Sequence, residues 1–236
     1  MDDRWDELFG RLEVWRHLPN YQLERRADIF FSLYLREVVG RRVGTRLLAT
    51  MLPELPIRKG LLDGEGQSNQ SVKVDYALFS EDGRKVFFVE LKTDQASRRT
   101  EQDAYLLRAV ELGFGAVAQG IVDVARATTS HRKYHHLLSQ LAEVGALRCP
   151  ERSFANPSAS LSAFRAQLDL VTIPEPEPSL EVLYVQPLAS AEPSAIGFTE
   201  FAEIVAEHDD PLSTVFSESL RRWATVQAGD AAPRGC

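Results

Sequence analysis

Hydrophobic positions recur along the chain with two different periods, and the expected elements follow from them. Trp5, Leu8, Phe9, Leu12 and Trp15 share one stripe at helical spacing, which predicts a short amphipathic helix over 4–16. Pro19-Asn20 punctuates the chain, with Asn20 suited to cap the next helix. Leu23, Ala27, Phe30, Phe31, Tyr34, Leu35 and Val38 follow at i, i+3, i+4 spacing and predict a helix ending at or near Gly40. A further helical piece is expected over 43–51, then a first strand at 53–58 flanked by prolines, then a flexible loop over 60–71. The period then falls to two. Segments 72–79 and 85–92 read as strands, and the turn-like Ser-Glu-Asp-Gly-Arg at 80–84 joins them into a β-hairpin. Thr100-Glu101-Gln102-Asp103 resembles a capping box and opens a helix to about Leu112. Residues 114–127 are open between strand and helix, with helix favoured because small residues dominate; a helix is expected over 131–145, a loop over 150–160, and a stiff proline-rich connector over 173–178. A strand at 180–186, helices at 199–207 and 211–227, and a disordered tail at 229–236 complete the pattern.

This order predicts an α/β fold: a mixed central β-sheet flanked by helices, with extra C-terminal helices. The expected organisation is a single domain over 1–228, with a core at about 20–190 and a helical extension at about 195–228. Two strands carry charge where a sheet core should be dry. Burying a carboxylate costs several kcal/mol unless it is paired or bound to a metal. Glu90 and Lys92 are two residues apart and point to the same side of their strand, and Asp75 sits beside Glu90 if the hairpin register allows. Two carboxylates about 4 Å apart repel by roughly 4 kcal/mol at an effective dielectric near 20. Lys92 offsets part of that and a divalent cation the rest, so Asp75, Glu90 and Lys92 look like a metal-and-lysine site. The bland alternative is a structural ion-pair cluster on a solvated sheet face. Val86 and Phe88 share the Glu90 side of the strand and argue that this side is covered.

Composition narrows the picture further. No stretch approaches the ~18 apolar residues of a membrane span, the N-terminus is acidic rather than signal-like, and Cys149 and Cys236 are too few for a disulfide framework. A cytoplasmic protein without a membrane partner is expected. The net charge of −7 argues at first against a nucleic-acid partner. Its distribution reverses that: 150–236 holds 13 acids and 5 bases, whereas 1–149 holds 21 acids and 22 bases. Within 24–46, six arginines (Arg25, Arg26, Arg36, Arg41, Arg42, Arg46) face three acids, a patch fit for phosphates or simply a solvated helix face. His131 and His135 stand at i, i+4, but nothing nearby supplies a third ligand, so both read as surface histidines.

Asp75, a 15-residue step, and then Glu90-Leu91-Lys92 on an apolar strand resemble the PD-(D/E)XK nuclease superfamily, the restriction-endonuclease-like fold. The resemblance spans about 20–112, and the Lys-Val-Asp-Tyr and Val-Glu-Leu-Lys-Thr-Asp strings are similar to those of bacterial members. Val74 stands where the motif name has proline. The resemblance implies a metal-dependent nuclease that uses magnesium, with manganese as substitute, on nucleic acid, DNA above RNA. Asp75, Glu90 and the Leu91 carbonyl would hold the metal, and Lys92 would assist the attacking water. Many members carry an extra acid on the helix before the first strand, where Glu24 stands; its alternative is a first-turn glutamate favoured by the helix dipole. Asp28 and Glu37 trail it, and Glu54 is a further candidate ligand. Gln102 and Tyr105 resemble the glutamine and tyrosine of exonuclease-like branches, at a three-residue step where that pattern has four; an ordinary cap-proximal glutamine is the alternative. Arg25, Arg26, Arg98 and Arg99 are the expected backbone contacts, and paired cuts across a duplex would call for a homodimer. A second class stays open: a catalytically inactive module of the same fold that binds nucleic acid, or meets a protein partner through the acidic C-terminal third.

Overall fold

The protein is described here from a computed structural model, which covers residues 3–18, 21–64, 68–93, 100–151, 153–188 and 192–229. It is an α/β structure built on a five-stranded open sheet of mixed direction, flanked by helices. The strands β1 (Leu52–Arg58), β2 (Ser71–Phe79), β3 (Lys85–Leu91), β4 (Ser179–Gln186) and β5 (Ala195–Gly197) lie side by side in chain order. β1, β2 and β3 are antiparallel, with Leu52 opposite Ala77 and Tyr76 opposite Val89. β4 and β5 are parallel. Two prolines, Pro53 and Pro56, sit in β1, which the sheet tolerates because β1 is its edge.

The chain packs as two compact units: 46–89 with 101–182, and 1–45 with 90–100 and 183–236. In the first, α5 (Phe114–Ala127) lies against β1 and its Phe114 ring meets Phe79 and Phe88 at 5.9 and 6.4 Å. Arg58 at the end of β1 reaches Asp123 on α5 at 2.9 Å, and Gly120 lets the helix approach that point closely. The β2–β3 turn is held by the Ser80 hydroxyl, which accepts from the amides of Arg84 and Lys85, while Gly83 takes a φ of 68°. Helices α3 (Lys59–Leu62), α4 (Thr100–Leu112, all but its first residue), α6 (His131–Glu143) and α7 (Leu161–Leu168) complete this unit. In the second, α1 (Asp3–Trp15), α2 (Glu24–Val43), α8 (Phe198–Val205) and α9 (Pro211–Gly229) bury an aromatic cluster. Phe9, Phe31, Phe198, Phe201, Phe216 and Trp223 are all fully buried there. The Trp223 indole donates to Glu13 at 2.6 Å, tying α9 to α1.

Several expectations need correction. The helix expected to end near Gly40 runs on to Val43, because the left-handed C-cap is taken by Gly44 at φ 63°. Leu23, not Asn20, occupies its N-cap position, and Asn20 lies outside the described residues. The helix expected over 43–51 gives way to extended chain, since Leu47 bridges Ser80 and Leu48 donates to the Phe79 carbonyl. The expected loop at 60–71 begins with the one-turn helix α3, and β2 takes its last residue. Neither α7 nor β5 was expected. Gly229, placed in the tail, ends α9, and 230–236 lie outside the described residues.

Candidate functional site

β3 is a run of β-branched, aromatic and aliphatic side chains with a single acid, and that acid is wholly buried: Glu90 is 0 % exposed. Lys92 follows two residues later on the same side and is 5 % exposed. Its Nζ donates to Glu90 Oε2 at 2.9 Å, a charge-assisted bond inside the protein. Two ions out of water cost several kcal/mol each, which their attraction repays only at good geometry. The pair is therefore a retained polar feature in an otherwise dry strand. Phe88, on the same side, packs on Phe114, so this face of the hairpin is covered as expected.

Backbone bonds fix what lies beside the pair. Lys92 N donates to Val185 O and Ser179 N to Arg84 O, both at 2.8 Å. In a parallel ladder, the residue that donates to a carbonyl lies opposite the residue after that carbonyl. Lys92 is thus opposite Gln186, and Lys85 opposite Ser179; both bonds give the same offset, so β3 and β4 run parallel without a bulge. Tyr184 then lies opposite Glu90. β4 passes the rows on to β5, where Tyr184 pairs with Ala195 and Gln186 with Gly197. Glu90, Lys92, Tyr184 and Gln186 form one buried polar patch at the C-terminal ends of parallel strands, where open α/β sheets bind ligands.

The remaining candidates are distributed as follows. Glu24 is the first residue of α2, half-buried, in the same unit as Glu90 and Lys92. Leu91 is buried and alternates to the other side of β3. Asp75 is half-buried on β2 in the other unit; it precedes Tyr76, whose ladder partner Val89 precedes Glu90. Gln102 is half-buried on α4, whose Leu106 and Ala109 are buried, and Tyr105 carries Lys59 over its ring at 5.9 Å. Glu54 projects into solvent and pairs with Lys73. Asp28 accepts from the Ile29 amide at 2.7 Å. Among the described residues, no three His, Cys, Asp or Glu side chains converge as a metal cluster.

No protein-family model, curated protein or solved structure matches the chain. The reading of the site rests on its own residues.

The arginine patch resolves into two parts. Arg41 pairs with Glu207 of α8's trailing turn and with Glu37, and these acids, Glu207 above all, raise its pKa; Arg42 pairs with Glu200 at 3.5 Å. Arg25, Arg26 and Arg36 are exposed and meet no acid among the described residues. Arg98 and Arg99 lie outside the described residues. The acids Glu200 and Glu207 thus neutralise α2 rather than forming a free acidic surface. Among the described residues, no single helix is long and apolar enough to cross a membrane.

His135 overturns its expectation as a surface residue. It is 1 % exposed, with Phe164 at 4.5 Å and Phe154 at 6.1 Å from its ring, because the loop before α7 folds over α6. His131, 6.0 Å away, bonds the Ala159 carbonyl at 3.1 Å. Burial lowers the His135 pKa; the Phe154 backbone opposes this and His131 adds to it. Residues that sequence reasoning missed lie on β4: Tyr184 and Gln186 join the site only through the parallel register, which no local pattern encodes. A second missed group is Tyr34, whose hydroxyl lies 2.7 Å from the Ser213 hydroxyl, itself bonded to Asp210 at the start of α9. The Ser213 hydroxyl holds the Asp210 carboxyl below its ordinary range, and burial raises Tyr34. Ser213 is fully buried, so this group caps a helix rather than offering a nucleophile.

Proposed function

We propose that the chain is a metal-dependent nuclease of the PD-(D/E)XK, restriction-endonuclease-like type, hydrolysing phosphodiester bonds of nucleic acid, with DNA as the expected substrate. The observation that carries the reading is the Glu90–Lys92 pair, a buried carboxylate and ammonium 2.9 Å apart at the end of an apolar strand. The order α2, β1, α3, β2, β3, then α4 to α7, then β4, with strands antiparallel through the first three and parallel at the fourth, supports it.

The donor chemistry fits magnesium, a hard cation that needs few protein oxygens because waters and substrate phosphate fill its octahedron. Glu90 and the Leu91 carbonyl would hold it, with Asp75 the second acid by its motif position and Glu24 a further one; manganese would substitute. When bound, the ion supplies Lewis acidity and a more acidic attacking water. Lys92 contributes a fixed positive charge and three N–H donors toward the charge that develops on the phosphate, and burial strengthens both. Glu90 orients that ammonium through the 2.9 Å bond. Arg25 and Arg26, next to Glu24 on α2, supply phosphate contacts.

The test compares the parent with Glu90→Gln and Lys92→Ala on single- and double-stranded DNA and on RNA, with Mg²⁺ or Mn²⁺. Each replacement should lower cleavage by roughly 100-fold or more. Variants that cut as fast as the parent would end the proposal, as would a parent that cuts nothing. One observation favours a second reading, a non-catalytic module of the same fold: a lysine already on Glu90 is also what a purely structural pair would look like. Intact binding to a partner by the Glu90→Gln variant, without any cleavage by the parent, would identify it.

A further inference from the structure

We propose that Gln186 is a positioning residue of this site, acting through Lys92; the inference rests on the nuclease reading above. The parallel register sets Gln186 opposite Lys92, and in-register neighbours on one sheet face have Cβ atoms about 5 Å apart. On its other side Gln186 pairs with Gly197, which has no side chain, so the carboxamide has room in the row. Gln186 is 8 % exposed, and its Nε2 donates to the Leu188 carbonyl at 3.0 Å. That bond engages the amide nitrogen, and the carboxamide oxygen is the acceptor that the strand register offers in the row of Lys92.

The need for such an acceptor follows from the Glu90–Lys92 pair. A cation held by Glu90 competes with Lys92 for the same carboxylate lone pairs. A buried ammonium that loses part of its acceptor set is costly to keep in place. Gln186 offers an oxygen that takes up the ammonium. It keeps Lys92 aimed along the strand ends while Glu90 serves the metal.

Gln186→Met and Gln186→Glu test this. Both lose the bond to Leu188 and both keep the length of the side chain, so the contrast between them isolates the acceptor. Thermal unfolding across a Mn²⁺ titration reads cation affinity without requiring turnover, and cleavage assays add kcat and KM. The expected result is a Mn²⁺ affinity weakened about tenfold in Gln186→Met and held near the parent in Gln186→Glu, the scale of a lost outer partner at a metal site. In the same variant kcat should fall with KM unchanged. A parent that shows no Mn²⁺-dependent shift would overturn the metal reading and this inference with it. A parent that responds, with both variants responding and cleaving alike, would overturn the inference and leave the nuclease reading intact. A lower metal-free Tm in both variants, with an unchanged Mn²⁺ response, would make Gln186 merely structural and also overturn it.

Discussion

At the residue scale, the Glu90–Lys92 pair makes a sharp demand on stability. Removing one member of a buried ion pair strands the other charge, and such changes cost about 3–5 kcal/mol, whereas replacing both with apolar groups of similar volume is often neutral. Lys92→Met and Glu90→Leu should each lower the urea midpoint strongly in metal-free protein, while the double replacement should recover most of the loss. Additive losses in the double variant would mean that the two side chains do not depend on each other. His135 makes a second demand, on pH. Its pKa in the folded protein is below the ordinary 6.5, first because it is buried among Phe154, Phe164 and His131. The unfolded chain therefore takes up the proton first as pH falls. Stability is full above the ordinary histidine value and declines below it. Urea midpoints should fall between about pH 8 and about pH 5, and His135→Phe, which suits the aromatic surroundings, should reduce that fall. An equal pH response in parent and variant would refute the assignment.

At the element scale, the N-terminus of α5 depends on a residue far along the chain. The Glu177 carboxylate accepts from Gly115 N at 2.6 Å, and a Cβ on Gly115 would come within 2.3 Å of that carboxylate. A carboxylate on the first turn satisfies an orphan amide and faces the positive end of the helix dipole. Glu177→Ala should cost about 1 kcal/mol, and Gly115→Ala should cost nothing further once Glu177 is gone. Full additivity in calorimetry would show that the cap does not hold the helix. This cap also marks where sequence reading stops. Elements with strong period were legible: the Phe9–Leu12 stripe of α1 and the β2–β3 hairpin lie where the pattern put them, whereas α5 had no decisive period and was favoured as a helix only by its small residues. Failures came where a non-local partner decided the matter. The chain after Gly44 is extended because Leu47 and Leu48 find β2's end, and the three residues of β5 form a strand only because β4 is beside them. The site divides the same way. Glu90 and Lys92 were legible because two-residue alternation is a local rule, whereas Tyr184 and Gln186 needed the β3–β4 register.

At the scale of the whole molecule, the net charge of −7 conceals how the cations are used. The acids of the C-terminal helices look from sequence like a surface that repels nucleic acid. Two of them, Glu200 and Glu207, are instead spent on Arg42 and Arg41 within their own unit. That leaves α2 with an exposed set, Arg25, Arg26 and Arg36, and 11 residues separate the first from the last, which returns them to nearly the same helix face. A nuclease that grips backbone phosphates releases counterions, so binding weakens with salt at a log–log slope of about −0.9 per contact on duplex DNA. If the proposed nuclease reading holds, binding of duplex DNA by the Glu90→Gln protein should therefore be salt-dependent. Arg25→Ala, Arg26→Ala and Arg36→Ala should each flatten the slope by about one contact, as expected for a phosphate-binding cation. Arg41→Ala removes no available charge from that face and should leave the slope unchanged while lowering stability slightly, since exposed pairs contribute about 0–1 kcal/mol. If Arg41→Ala flattens the slope as much as Arg25→Ala, the division between spent and available cations is wrong. If none of the four changes it, the phosphates are held elsewhere and α2 is a solvated helix with no part in binding.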